Sequence, residues 1–358
     1  MLSRALLTVF PLLALVSCSD PSPATPSRPA VFGLGVATRI FVDSSRRTPA
    51  NGTQAALAER TLATEIWYPT AGAAGLEAAR EAAVDRAHGP YPLVLFVHGS
   101  SGGRSQSTFL TRALATSGYV VASADFPLTS LSTAGGPSDL HVGDQLDDLR
   151  FLVDQVTALS DDAAAPFAGS IRRDQVAVVG HSTGGTVALL AAYAPDRHDA
   201  RVRGVVALAP CACFFGTSFF TTRSLPLLVV AGSNDLFVPP ANNGARAYRL
   251  APAPKAYASL VGGTHLYFTD FGVPDSALSP VPTTSHDDIS VALSAYGGGT
   301  DCEPSPPNGA DEPLTAAEQH AHTITIVRAF LDDLFGATHG ALPALAAATD
   351  PQVRWQRQ

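Results

Sequence analysis

Gly180-His181-Ser182-Thr183-Gly184 fits the pattern G-x-S-x-G, in which a serine sits on a sharp turn between a strand and a helix. The spacing follows from the chemistry. The hydroxyl must stand exposed at the end of a sheet, and the flanking glycines let neighbouring backbone pass close to the turn. The first N–H groups of the next helix then face the anion that develops when a carbonyl is attacked. A second match, Gly99-Ser100-Ser101-Gly102-Gly103, competes for the role. Context separates the two. Ser182 follows the apolar strand candidate QVAVVG (175–180) and precedes the apolar helix candidate TGGTVALLAAYA (183–194), whereas Ser101 leads into GGRSQS, a poor helix start. Ser182 is therefore the expected nucleophile.

A serine nucleophile needs a base and a group to orient that base, and on this turn they follow it in the order Ser, Asp or Glu, His. Asp235 in AGSNDLFVPP lies just past the strand candidate LPLLVVAG (225–232), and His265 in VGGTHLYF lies just past KAYASLVG (255–262). Both reach the sheet edge that carries Ser182. Asp125 and Asp270 are rival acids, the first ending an earlier strand and the second close to His265 in sequence. The loop His98-Gly99-Ser100-Ser101-Gly102-Gly103 follows the strand PLVLFV (92–97), where a backbone N–H completes an oxyanion hole. The expected donors are the N–H groups of Ser100 and Thr183, with Ser101 the alternative to Ser100. His98 precedes the nucleophile and is read as orienting its loop, and His181 as structural. His286, His320 and His322 raise the question of a metal. A His-x-His pair on a helix points in two directions, so no metal is expected. The chain also lacks a P-loop and a G-x-G-x-x-G dinucleotide signature.

The elements that must hold these residues alternate. Strands are expected at 31–42, 62–69, 92–97, 118–125, 175–180, 202–210, 225–232 and 255–262. Helices are expected at 144–159, 183–194, 242–250 and 315–335, the last opened by a Thr315–Glu318 capping box. Strands separated by helices imply an α/β fold with a mostly parallel sheet covered on both faces. Across the 358 residues, 46% are apolar and 15% charged, which excludes a largely disordered chain. The net charge of −8, with scattered basic residues, excludes a nucleic-acid footprint.

The first segment reads as an address. Residues 1–18 carry Arg4 and then an apolar run too short to span a bilayer, as in a secretory signal peptide. The end, Leu15-Val16-Ser17-Cys18, resembles a bacterial lipobox, which implies lipidation of Cys18 and a membrane anchor, with plain secretion or a periplasmic site as the alternative. Ser19 after the cysteine implies the outer membrane. Residues 19–30 are a Pro/Ser tether, 31–340 the expected domain and 341–358 a C-terminal tail. Outside the cytoplasm a disulfide can persist, and Cys302 is expected to pair with Cys211 or Cys213. Residues 266–313 are longer than an ordinary connection, and read as a lid or pocket wall, or as an exposed insertion.

Taken together, His98-Gly99, Gly180-His181-Ser182-Thr183-Gly184-Gly185, Asp235 and His265 resemble the serine α/β-hydrolase superfamily over roughly residues 60–335. Within it the chain is similar to dienelactone-hydrolase-like, platelet-activating-factor-acetylhydrolase-like and bacterial cutinase-like esterases. TEIWYP (64–69) carries the second likeness, and the stretch from LPLLVVAGSNDLFVPP to KAYASLVGGTHLYF the third. The chain has Ser182 where dienelactone hydrolases have cysteine. It has Thr183 and Ser100 where bacterial cutinases usually have methionine and an aromatic residue. The resemblance implies hydrolysis of small or polymeric carboxylic esters without metal or organic cofactor. Polyester hydrolase, lipase and peptidase activity are alternatives on the same machinery, and a non-catalytic envelope binding module is the alternative without it. The oligomeric state is left open.

Overall fold

The computed structural model describes residues 31–75, 77–163, 166–195, 197–278, 284–297, 302 and 311–358. The signal, lipidation and tether expectations at 1–30 lie outside the described residues. Ten strands form one sheet: β1 (Gly33–Asp43), β2 (Arg60–Thr70), β3 (Ala78–Arg80), β4 (Tyr91–Val97), β5 (Val120–Ala124), β6 (Ile171–His181), β7 (Val202–Leu208), β8 (Leu227–Gly232), β9 (Lys255–Leu260) and β10 (Val353–Arg357). Their order is β10-β9-β8-β7-β6-β4-β5-β2-β1-β3. From β5 to β9 the neighbours run parallel, while β2 pairs antiparallel with both β1 and β5.

Alternation within the apolar strands builds two cores at once. In β4, Leu93, Leu95 and Val97 face one side, and Val94 and Phe96 the other. β6, β7 and β8 divide in the same way, for instance Val178 against Val179 and Val229 against Val230. Strands buried on both faces need helices on both faces. One face is covered by α2 (Gln145–Ala158), α3 (Thr183–Tyr193) and α4 (Gly244–Leu250). The other is covered by α1 (Thr108–Thr116), α6 (Ala316–Leu334) and α7 (Ala341–Ala347). All eleven residues of α3 are buried, so this helix has no solvent face and its first turn is rigidly placed. The Thr315–Glu318 capping box is present at the start of α6.

Residues 341–358 are not a tail. They form α7 and β10, and β10 pairs antiparallel with β9 from Val353 opposite Leu260 to Arg357 opposite Ala256. β9 is therefore not the last strand. The sequence VRWQR buries Val353 alone, and its arginines leave a short charged strand that closes the sheet edge. Its apolar pattern is too brief to stand out.

Within 266–313, α5 (Thr284–Ala292) and a following turn cover the α3 side of the sheet, with Ile289 and Leu293 fully buried. Of the two pairings expected for Cys302, the observed one is to Cys213, with an S–S distance of 2.14 Å. Cys211 is free and buried.

Candidate active site

Ser182 has φ 56° and ψ −122°, a conformation that costs an ordinary L-residue about 1–3 kcal/mol. The surrounding backbone explains why it persists. A Cβ at Gly180 would lie 2.1 Å from the Gly184 carbonyl oxygen, and one at Gly184 would lie 2.1 Å from the Val97 oxygen. Only glycine at both positions lets β4, β6 and α3 converge. The Ser182 N–H donates to the Leu208 carbonyl at 2.9 Å, which ties the strained turn to β7. The serine is half-buried at the end of the sheet, with its helix wholly buried beneath it.

The loop from His98 to Gly103, expected to complete an oxyanion hole, lies against this turn. A Cβ on Gly99 would sit 3.1 Å from Ser182 Cβ. His98 Nδ1 donates to the Gly99 carbonyl at 2.8 Å, and its Nε2 accepts the Phe126 N–H at 3.2 Å. Both ring nitrogens are thus engaged in holding the loop. Burial drives the His98 imidazole below its usual range, so it stays neutral. Gln106 completes the frame: its Oε1 accepts the Gly99 N–H at 2.8 Å, and its Nε2 donates to His181 Nδ1 at 2.9 Å. His181 is driven well down, first by burial and then by the neighbouring His265. Both histidines are framework.

The Ser101 N–H is already donated to the Thr129 carbonyl at 3.1 Å. Among the described residues, the N–H groups of Ser100 and Thr183 have no such acceptor. The Ser100 hydroxyl donates to Asp139 Oδ2 at 2.6 Å, and Asp139 is itself buried on the short 3-10 turn Asp139–Asp144. Asp139 is a loop-positioning group that sequence reasoning missed, because nothing in SDLHVGD marks it.

Asp235 and His265 meet as their positions imply. His265 Nδ1 donates to Asp235 Oδ2 at 2.7 Å. The other oxygen, Oδ1, accepts the Phe237 and Val238 N–H groups at 2.9 and 2.7 Å, so the carboxylate is fully oriented. Asp235 is completely buried, which raises its pKa against the pull of His265. Burial opposes protonation of His265, but the charge and hydrogen bond of Asp235 and the charge of Asp275 outweigh it, and the imidazole pKa is raised. The His265 ring packs 4.6 Å from the His181 ring and stacks on Phe237 at 5.4 Å. This places His265, the expected base, beside the turn that carries Ser182. From α6, Gln319 accepts the Thr264 N–H at 2.9 Å and donates to the Thr264 carbonyl at 2.8 Å, fixing the loop that carries the base.

The rival acids have other partners. Asp125 pairs with the Arg104 side chain and accepts the Arg104 N–H at 2.7 Å. Asp270 caps α1 through the Thr108 and Phe109 N–H groups at 2.7 and 3.1 Å. His320 stacks on Phe109 and His322 bonds Gln352, and among the described residues no cluster of metal-ligating side chains occurs. Cys211, next to the pairing Cys213, lies against the Ser182 and Thr186 hydroxyls, and burial pushes its thiol up to about 12.

Residues 63–281 match the family model described as PET hydrolase-like. Among solved structures, a ferulic acid esterase from Streptomyces cinnamoneus has a similar fold, with a TM-score of 0.61 and 22% identity over 94% of this chain and 98% of that one. No curated protein matches the chain. The matched span runs from β2 through the serine turn to the residues beyond His265, and the chain belongs to the PET hydrolase-like family, as an ester-hydrolysing enzyme of α/β-hydrolase fold.

Proposed function

We propose that the chain is a serine carboxylesterase working through an acyl-enzyme. Ser182 Oγ attacks the ester carbonyl carbon while His265 Nε2 takes the hydroxyl proton. The Ser100 and Thr183 N–H groups meet the oxyanion. The tetrahedral species expels the alcohol, which leaves with the proton from His265. Water, deprotonated by the same nitrogen, then releases the acid and restores Ser182. Asp235 holds the ring and stabilises its cationic form.

The observation that carries this reading is the pairing of two constraints. One is a serine held at φ 56° at the start of a wholly buried helix. The other is an imidazole whose Nδ1 is committed to a buried carboxylate, leaving Nε2 as its working atom. A panel of p-nitrophenyl esters of increasing acyl length tests it, together with mass analysis after a fluorophosphonate probe. Wild type should release p-nitrophenol and carry one label on Ser182, and Ser182→Ala should do neither. Turnover by Ser182→Ala at the wild-type rate would end the proposal.

A second reading, hydrolysis of polymeric esters, is favoured by the family and by apolar side chains flanking the site. Leu131, whose N–H donates to Gly102 of the oxyanion loop, is 68% exposed, and Leu236, next to Asp235, is 47% exposed. Such residues suit a broad apolar ester surface. Polyester film in the same panel distinguishes the two.

We also propose that the chain is exported from the cytoplasm. The Cys213–Cys302 bridge supports an oxidising compartment, and the Cys18 lipobox supports anchoring at the cell envelope.

A further inference from the structure

The acid and the base stand on separate loops, after β8 and after β9, and their distance depends on how those loops are joined. Two links lie on the sheet side of the pair. The Ser233 hydroxyl accepts the Gly262 N–H at 2.8 Å, and the Asn234 N–H donates to the Gly263 carbonyl at 2.8 Å. The third link comes from a different part of the chain. Asp275, in the segment that follows the base, turns its carboxylate back into the space between the loops and is 3% exposed. Its Oδ2 accepts the Leu236 N–H and the His265 N–H, each at 3.0 Å, and its Oδ1 accepts the Leu266 N–H at 2.9 Å. One side chain therefore holds the residue after the acid, the base itself and the residue after the base.

We propose that Asp275 is a positioning residue for the Asp235–His265 pair, joining the two loops through their backbone and setting the place of the imidazole. The proposal rests on the esterase reading of those residues. Three charge-assisted bonds to one buried carboxylate are stronger and more directional than neutral ones. Leu236 and His265 are donors to the same oxygen, so neither loop can shift without straining the other's bond. Each of the three bonds is direct from backbone N–H to carboxylate oxygen. Asp275 does not touch Ser182 or the reacting atoms; it acts through His265.

The charge of Asp275 also bears on the ring. The titratable groups facing His265 are Asp235 from the loop after β8, Asp275 from the following segment, and His181 from the end of β6, with the Cys211 thiol beyond Ser182. Asp275 favours the cationic imidazole. Removing its charge therefore lowers the pH at which His265 gains a proton.

The test compares wild type with Asp275→Asn and Asp275→Glu. For Asp275→Asn we expect kcat to fall about 10–100-fold, as for a base displaced by a fraction of an ångström to 1 Å. KM should move less than about threefold, because ground-state binding is untouched. The acidic limb of kcat/KM should move to lower pH. Asp275→Glu keeps the charge and displaces it, so kcat should fall while the acidic limb stays at the wild-type pH. Unchanged kcat and unchanged limb in folded Asp275→Asn would overturn the proposal. So would failure of both variants to fold, since the carboxylate would then hold the fold at large.

A second readout needs no turnover. In the Ser182→Ala background, the low-field proton resonance of His265 Nδ1 reports the bond to Asp235. Asp275→Asn should shift or broaden it and lower the pH at which it titrates. Were wild type to hydrolyse no ester, this signal would still decide the role of Asp275, so the two readings fail separately.

Discussion

Replacing Gly184 by alanine sets two effects against each other. Gly184 is the second residue of α3, and alanine in a helix is favoured over glycine by about 1 kcal/mol. On propensity alone the variant gains stability. The added Cβ, however, would stand 2.1 Å from the Val97 carbonyl oxygen and 2.6 Å from that of His98, where ordinary contacts begin near 3.4 Å. Relief requires more than 1 Å of movement between the first turn of α3 and the end of β4. Neither is a flexible side chain: both are backbone, and α3 is buried on every side. Overpacking of this kind costs about 1–3 kcal/mol, sometimes more, so the steric term wins. The catalytic cost is larger, because the movement separates Ser182 and Thr183 from the loop that carries Ser100. A misplacement of about 1 Å costs on the order of 100-fold in rate. Urea unfolding monitored by tryptophan fluorescence and steady-state hydrolysis of p-nitrophenyl acetate measure both. A Gly184→Ala protein at least as stable as wild type, with wild-type kcat, would refute the steric reasoning.

Further predictions bear on the triad and the anchor. Ser182→Ala, Asp235→Asn and His265→Ala should each lower kcat by orders of magnitude, and the triple variant should be little worse than the worst single one, since the three act as a unit. Because Asp235 and Asp275 raise the His265 pKa and only the neutral ring accepts a proton, wild-type kcat/KM should fall on the acid side at a pH above that of an ordinary imidazole; a stopped pH series on a non-ionising ester reads it. Metabolic labelling with a fatty acid should tag the full-length protein and not Cys18→Ala, and recovery of wild type wholly in the soluble fraction would count against lipidation.

The geometry of the candidate site was legible in sequence where a sharp turn forces a local pattern. The turn around Ser182 demands glycines at fixed offsets, and Asp235 and His265 stand just beyond apolar runs that end at one sheet edge. The groups that position them leave no such mark. Gln106, Asp139, Asp275 and Gln319 are single polar residues in loops or on a helix, and each acts on a backbone or side chain distant in sequence: Gln106 on His181, Gln319 on Thr264, Asp139 on Ser100. Their roles exist only after folding. The same holds for β10, five residues with one buried side chain, which is a strand because β9 offers an open edge. The pairing of Cys213 over Cys211 was likewise beyond reach, since a single residue separates them and only geometry chooses. The fold class, by contrast, rests on long apolar runs at helix-length intervals, and these strands and helices lie close to the expected positions.

The segment after the base raises a question of motion that the packing answers. A lid must swing without dismantling the site it covers. Here Ile289 and Leu293 are 1% and 0% exposed, and lifting α5 would return both to water at about 1.5–3 kcal/mol each. The helix packs on the 3-10 turn Asp139–Asp144, whose Asp139 holds the Ser100 hydroxyl at 2.6 Å. Upstream, Asp275 clamps the loops of the acid and base. Lifting α5 would therefore loosen the turn that holds the Ser100 hydroxyl. The Cys213–Cys302 bridge, joining positions 89 apart, opposes the same movement. These constraints favour a fixed wall over a lid, and the difference is measurable. A fixed wall gives no jump in rate when a short-chain triglyceride passes from monomers to droplets; a lid gives a steep one. It also sets selectivity by static shape, so Cys302→Ser should alter acyl-length preference more than the rate on an acetate ester. The denatured, unreduced domain 31–358 should show one thiol, that of Cys211. A sharp interfacial jump in wild type, or three thiols in the wild-type domain together with unchanged selectivity in Cys302→Ser, would sink the wall.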